Sequence, residues 1–419
     1  MSTKCCCVPK SFTNSKTESA NSYGPECPWT KFIASLECFD MTRIQCVRLH
    51  RLRQDLPVPI SWCAGKDLKT MEVTVVEVET DCGQKGWGAG GCEWEHLCTN
   101  ADRIIGRSPF EAEAIFMELG GLRREGPLAG VLDMALWDLQ GKLTGRPVCE
   151  LLGKVWRRRI MPYASIGYLK PNWEDLARNC AEEVADWVSR HGFRAVKIKT
   201  GYGPEHDVAM VKAVREAIGH EIRLLIDSGS PAVYDAGTAV ALGRELEPYH
   251  LFCWEEPVEK NDLEGFRRLK QVLRIPLAGG ESIRLDRLLT DYIAPKLIDI
   301  VQPDMEHCGF TGARHISYAA FLHRVRVIPH TWSHTPLRIA ATMHWLATIP
   351  QEHEQCRATP EPLLELHPPH ETVGWDITRQ TIGIDAKDGR IPLPPGPGLG
   401  IEVDPEKMEP YCTETREIR

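Results

Sequence analysis

The chain has 419 residues and carries 50 Lys and Arg against 58 Asp and Glu, a formal net charge of -8. That balance gives no electrostatic footprint for nucleic acid or for an anionic membrane surface. There is no run of about 18 apolar residues and no basic-then-apolar secretory pattern, so the expectation is a soluble, cytoplasmic protein with neither kind of partner.

The length exceeds what one hydrophobic core usually supports and points to a barrel plus a second domain. Most of the 16 cysteines whose context is informative sit in apolar runs, as Cys253 does in LFCWEEP and Cys180 in ARNCAEEV. They read as buried free thiols. The cluster Cys5-Cys6-Cys7 lacks paired spacing and a His partner and is not read as a zinc site.

Residues 1–40 are rich in Ser, Thr, Asn, Lys and Cys without periodicity and read as a disordered extension. From Met41, the alternating segments MTRIQCVRLHRL and MEVTVVEVET, the turn DCGQKG and then WGAGG predict antiparallel strands. PFEAEAIFMEL predicts a helix. In AGVLDMALWDLQGKLTGRPVCELLG, Val131, Met134, Ala135, Trp137 and Leu139 recur at helical spacing before Gly-Arg-Pro ends the helix. Strands followed by helices without alternation predict an α+β domain over 41–160.

Between Met161 and Thr331 seven apolar runs recur: MPYASIGY, AVKIKTG, LLIDSG, LFCWEEP, PLAGGES, DIVQPDM and VRVIPHT. The steps from Lys199 to Asp227, Glu255, Glu281, Asp304 and His330 are 28, 28, 26, 23 and 26 residues, the pitch of a βα unit. Amphipathic segments such as WEDLARNCAEEVADWVSR and EHDVAMVKAVREAI lie between them. A parallel barrel brings all strand C-termini to one face, so these six residues read as one site. The barrel is assigned to 161–365. The segment 366–419, with its closing PGPGLGIEVD, is expected to return to the N-terminal domain.

The sequence resembles the enolase superfamily, and within it the mandelate racemase-like branch. The resemblance rests on LDMALWDLQGK, the Lys-x-Lys of VKIKTG, the series LLIDS, CWEEP and GGES, then IVQPDMEHCGFTGARHI, IPHTW and PGPGLGIEVD, which together span about residues 41 to 405. It implies an α/β chain in which an N-terminal α+β capping domain covers a modified (β/α)7β TIM-like barrel. It further implies a small-molecule carboxylate substrate, Mg²⁺, homo-oligomeric assembly, and removal of the proton next to the carboxylate.

Asp227, Glu255 and Glu281 form an all-oxygen set suited to a hard cation, which favours Mg²⁺ over zinc. The resemblance places the second ligand at Glu255 rather than Glu256. Lys197 and Lys199 alternate on one strand and share a face. Like-charge proximity and burial predict a lowered lysine pKa. By resemblance Lys199 is the base, and Lys197 also neutralises the substrate carboxylate. Asp304 lies beside His330, which serves as acid or base on the opposite face of the substrate. His334 and Arg338 are read as contacts to polar substrate groups. The acid expected on an eighth strand falls to the stretch PQEHEQC, where Glu354, with Glu352 as the other candidate, is assigned to substrate binding. Gly229 stands where many relatives carry Asn. Lys66, Asp67, Glu93 and Glu95 are polar cap residues compatible with a hydroxylated substrate.

A pair of bases on opposite faces supports dehydration, 1,1-proton transfer or cycloisomerisation. Within this branch the combination most often accompanies acid-sugar dehydratases, so the expectation is elimination of the 3-hydroxyl of a sugar acid to a 2-keto-3-deoxy acid. A racemase or epimerase and a cycloisomerase are the alternatives. A non-catalytic binding protein is disfavoured, since binding alone has no need of two opposed bases.

Overall fold

The computed structural model describes residues 42–62, 67–123, 129–229, 234–332, 335–350 and 361–419, and the extension expected over 1–40 lies outside them. The described residues begin with three antiparallel strands, β1 (Ile44–Ile60), β2 (Leu68–Thr80) and β3 (Lys85–Gly90). In β2, Val73, Val75, Val76 and Val78 are all buried. Such β-branched residues favour a pleated, covered surface. The predicted helix over LDMALWDLQGK is α1 (Gly130–Thr144), ended by Gly145 in the left-handed region.

Helix α1 is buried on every side through Gly141, more thoroughly than a one-sided apolar stripe predicts. Its two inner acids explain the difference, because both are spent on tertiary hydrogen bonds. Asp138 accepts from the Trp87 N–H at 2.9 Å and the Leu399 N–H at 2.8 Å, and it pairs with Lys142 at 2.8 Å. Asp133 accepts from the Thr311 N–H at 2.9 Å and its hydroxyl at 2.6 Å. The helix thereby ties the antiparallel sheet, the barrel and the C-terminal segment together.

From Arg159 the chain alternates strand and helix: β4 (Arg159–Ile166), α2 (Leu176–His191), β5 (Ala195–Lys199), α3 (Pro204–Ile218), β6 (Arg223–Asp227), α4 (Ala236–Leu246), β7 (Cys253–Glu255), α5 (Leu263–Val272), β8 (Leu277–Gly279), β9 (Ile300–Val301), α6 (Met305–His323), β10 (Arg326–Val327), α7 (Pro336–Thr348) and β11 (Leu363–Leu366). The parallel strands run in the order β10-β9-β8-β7-β6-β5-β4-β11, and β12 (Ile391–Pro392) adds antiparallel to β4. Between the two end strands of that order, the Thr331 hydroxyl donates to the Glu365 carbonyl and the Thr331 N–H to the Glu365 carboxylate, each at 2.9 Å. This is the α/β barrel that the βα rhythm predicts, in the modified form that the resemblance implies.

The strand β11 is absent from the sequence reading, which found no βα rhythm after His330. Prolines at 360, 362, 368 and 369 conceal a run of only four residues, LLEL. The last strand, β13 (Cys412–Ile418), pairs antiparallel with β1, so the antiparallel sheet has the order β13-β1-β2-β3. Among the described residues, no helix is long and apolar enough to cross a membrane.

Period-two alternation builds the barrel interior in layers. Met161, Tyr163, Ala195, Leu225, Cys253, Ala278, Ile300, Ile328 and Leu363 pack together as an apolar floor. Two residues further along their strands, Ala195, Leu225, Cys253 and Leu363 are followed by Lys197, Asp227, Glu255 and Glu365. The charged layer therefore stands one step above the apolar one.

Gly309 interrupts α6 at φ 52° and ψ −168°. A Cβ there would lie 2.4 Å from the Asp133 carboxylate. Only glycine allows both the backbone and this approach. Gly309→Ala is expected to destabilise the protein by roughly 2–4 kcal/mol, from backbone strain plus overpacking. Urea denaturation monitored by circular dichroism measures it, and a midpoint unchanged from wild type would refute the account.

Candidate active site

The strand register brings the expected residues together. Lys199 on β5 stands beside Asp227 on β6, and Asp227 beside Glu255 on β7. The Lys199 ammonium pairs directly with Asp227. One step below, Lys197 lies 2.8 Å from Glu255, 2.8 Å from Glu365 and 3.4 Å from Asp227. The Gln302 side chain donates to Glu255 at 2.6 Å. A parallel bridge joins Asp304 to His330, and the Asp304 carboxylate sits 2.7 Å from His330 Nδ1 while Glu281 lies 3.1 Å from Nε2.

Of these groups, Lys199, Glu281, Asp304 and His330 line a cavity of about 230 Å³ at the C-terminal ends of the strands, and the others lie buried beside them. Its polar wall comprises Lys199, Glu281, Ser282, Asp304, Glu306, His307 and His330. The rest of its lining is aromatic: Trp62, Tyr168 and Trp332. The rings of Trp62 and Trp332 meet edge-on at 5.9 Å, and Tyr168 lies 5.6 Å from Trp332. Trp62 reaches the barrel because Ser61 and Leu169 exchange both backbone hydrogen bonds, each 2.9 Å. A larger cavity, about 540 Å³, lies at the opposite strand ends around Pro276, Asp299, Arg326 and Pro362. It contains none of the six residues spaced along the sequence.

Charge is distributed unevenly across the site. Burial alone would lower both lysines, but Glu255 and Glu365 hold Lys197 well above its usual range and Asp227 does the same to Lys199. The lowered lysine pKa expected from the sequence is therefore reversed here, because the carboxylates outweigh repulsion between the two ammonium groups. Burial opposes charge on His330, yet Glu281 and Asp304 push it up to about 10. Asp304 is held down at about 2, mainly by Arg338 acting against burial. Glu255 moves the other way: burial, then Asp227, raise its carboxyl.

The expected residues occupy different depths. Lys199 and His330 line the cavity, whereas Lys197 is 1% exposed and enclosed by carboxylates beneath it. Arg338, read from the sequence as a substrate contact, is also 1% exposed. Its guanidinium binds Asp304 and, at 2.8 Å, Glu306. It is engaged by these acids from the first turn of α7 and does not line the cavity. His334 and Glu354, like Lys66 and Glu352, lie outside the described residues. Asp67, Glu93 and Glu95 are exposed, and Glu95 pairs with Arg416. The acid on the eighth strand is Glu365, which the sequence reading missed. Its signal was the alternation in LLELH, where Leu364 and Leu366 flank the acid. Glu306, His307 and the three aromatic residues were also missed, because nothing in a one-dimensional pattern shows which loops share a cavity.

The oxygens present fit a hard divalent cation. One Glu255 carboxylate oxygen is buried without a hydrogen-bond partner, and a Glu256 oxygen likewise. Burial, then the neighbouring acids, raise both carboxyls, which is the mark of surplus negative charge in a confined space. In this conformation Asp227 is engaged by Lys199 and Glu281 by His330. Accordingly, among the described residues, no three His, Cys, Asp or Glu side chains converge on one point.

Comparison with known proteins accords with this arrangement. Residues 44–153 match the mandelate racemase/muconate lactonizing enzyme N-terminal domain, and residues 179–407 match the enolase C-terminal domain-like family. The chain is 33% identical to D-galactarolactone cycloisomerase of Agrobacterium fabrum, over 88% of this chain and 98% of that protein. It is 28% identical to arabinonate dehydratase of Saccharolobus solfataricus, over 81% and 91% respectively. The crystal structure of 3,6-anhydro-D-galactonate cycloisomerase from Zobellia galactanivorans superposes with a TM-score of 0.73 at 29% identity, covering 89% of this chain and 100% of that one. With both domain families matched in order and the barrel's charged layer in register, the chain belongs to the enolase superfamily, in its mandelate racemase/muconate lactonizing enzyme branch.

Proposed function

We propose that this enzyme removes the proton α to the carboxylate of a sugar acid and expels the oxygen substituent on the next carbon, giving a 2-keto-3-deoxy acid by loss of water. The observation that carries this reading is the placement of Lys199 and His330 on the wall of one cavity, from β5 and from the end of β10, with Asp227, Glu255 and Glu281 on the strands between.

Bound by Asp227, Glu255 and Glu281, Mg²⁺ would supply Lewis-acid stabilisation of the charge developing on the substrate carboxylate. Lys199 takes the α-proton on its Nζ once that nitrogen is neutral. Lys197, too deep to meet the substrate's far end, holds Glu255 and Glu365 in place and adds positive charge beneath the reacting carboxylate. The imidazolium of His330 gives its proton to the departing 3-hydroxyl as the carbon–oxygen bond breaks. Asp304 fixes the ring through Nδ1 and leaves Nε2 toward the cavity. Arg338 in turn fixes Asp304. The enol that remains ketonises to the product. Differential stabilisation of the enediolate over the bound acid sets the rate.

A second reading, cycloisomerisation, is favoured by the extent of the match to the galactarolactone enzyme. The same proton is removed, but the oxygen that leaves belongs to a ring, so no water is lost.

Replacement of either opposed group tests the assignment. Lys199→Ala and His330→Asn are each expected to lower kcat about 100- to 10,000-fold, measured as keto-acid formation from a sugar-acid panel by NMR in D2O. Near-normal turnover in both variants would eliminate this mechanism. A product one water lighter than its substrate separates dehydration from cycloisomerisation, while α-deuterium uptake without elimination would identify a racemase or epimerase. Treatment with EDTA is expected to abolish both turnover and α-deuterium exchange, with recovery on adding Mg²⁺. Full exchange in the chelated protein would exclude the assigned role of Asp227, Glu255 and Glu281.

A further inference from the structure

Glu306 places a fixed carboxylate on the cavity wall that the proposed reaction does not use. It follows β9, four strands from Lys199 on β5, and so stands across the barrel mouth from the lysine. One Glu306 oxygen accepts from the Gly91 N–H of the antiparallel domain at 2.7 Å and from Arg338 at 2.8 Å. The other lies 3.6 Å from His307 Nε2. Gly90, where a Cβ would approach the Glu306 Cβ to 2.6 Å, lets the acid sit hard against the cap. The carboxylate cannot swing out of the cavity without giving up these contacts.

Its charge is only partly offset. Arg338 is shared between Glu306 and Asp304, so one guanidinium serves two acids. Glu281 is engaged by His330, which leaves Glu306 as the carboxylate on this wall that neither the metal nor the proton transfers use. Trp62, Tyr168 and Trp332, which also line the cavity, offer C–H and π surface and no charge. A substrate whose reacting carboxylate lies over Lys199 therefore extends an uncharged, hydroxylated end toward Glu306, which accepts hydrogen bonds from hydroxyls and repels a second carboxylate.

Resting on the enediolate reading above, we propose that this site selects singly charged acids, either open aldonates or ring-closed acids with one free carboxylate, and rejects open dicarboxylates, with Glu306 as the selecting residue. Like charges juxtaposed in a confined interface cost several kcal/mol, which corresponds to discrimination on the order of 100-fold.

The test compares aldonates with the aldarates of the same configuration, such as galactonate with galactarate, in the full-length Mg²⁺-supplemented protein. Both kcat/KM and α-deuterium exchange are read. The wild type is expected to favour the monoacid about 100-fold. Glu306→Gln, which keeps an acceptor for Gly91, is expected to shrink that ratio about tenfold through a lower KM for the diacid. Calorimetric titration of both acids into the wild type and the variant provides a readout apart from turnover. Equal kcat/KM for both acids in the wild type, or a ratio unmoved in Glu306→Gln, would overturn the selection while leaving the enediolate reading intact. Absence of exchange on every acid in the panel would remove both together. The wild-type ratio decides the matter even where the variant fails to accumulate.

Discussion

The buried contact between Lys197 and its carboxylates is the constraint on which the site depends. An ammonium at that depth is tolerated only because Glu255 and Glu365 lie at hydrogen-bond distance and Asp227 lies close by. In return, the lysine holds acids from three different strands in one layer above the apolar floor. Breaking such a buried pair by removing one partner typically costs 3–5 kcal/mol, because the charge left behind is uncompensated. The geometry of catalysis and the stability of the barrel interior thus rest on the same atoms.

The cap is joined to this barrel by polar contacts whose partners are far apart in sequence. Asp133 holds Thr311 and Glu306 holds Gly91, while within the cap Asp138 holds Leu399. Asp133 and Asp138 are buried and would be costly if left unsatisfied. Together they fix where α1 sits relative to α6, and hence where the cap's edge overhangs the cavity.

Most of the barrel was legible because its signal is periodic. Strand alternation put Lys197 and Lys199 on one face, and the repeating interval placed Asp227, Glu255, Glu281, Asp304 and His330 at the strand C-termini. The eighth strand escaped because four residues between prolines carry too little pattern to register. Glu365 went with it. Arg338 was misread for another reason: sequence spacing places a residue near a site but does not say whether it points into the cavity or under it. The lysine pKa was misjudged because the strongest neighbours of Lys197 and Lys199 come from other strands, and proximity along one strand captured only their mutual repulsion.

The bridge between Ser61 and Leu169 bears on how this cavity changes over time. It joins the segment after β1 to the segment after β4 through main-chain atoms alone, two hydrogen bonds that any non-proline residue can supply. Exchange of the side chains beside it, Trp62 and Tyr168 among them, leaves these main-chain hydrogen bonds available. The aromatic surface can therefore be recoloured for a different ligand while the acids and bases of the cavity keep their positions, so that recognition and chemistry drift at separate rates within one cavity.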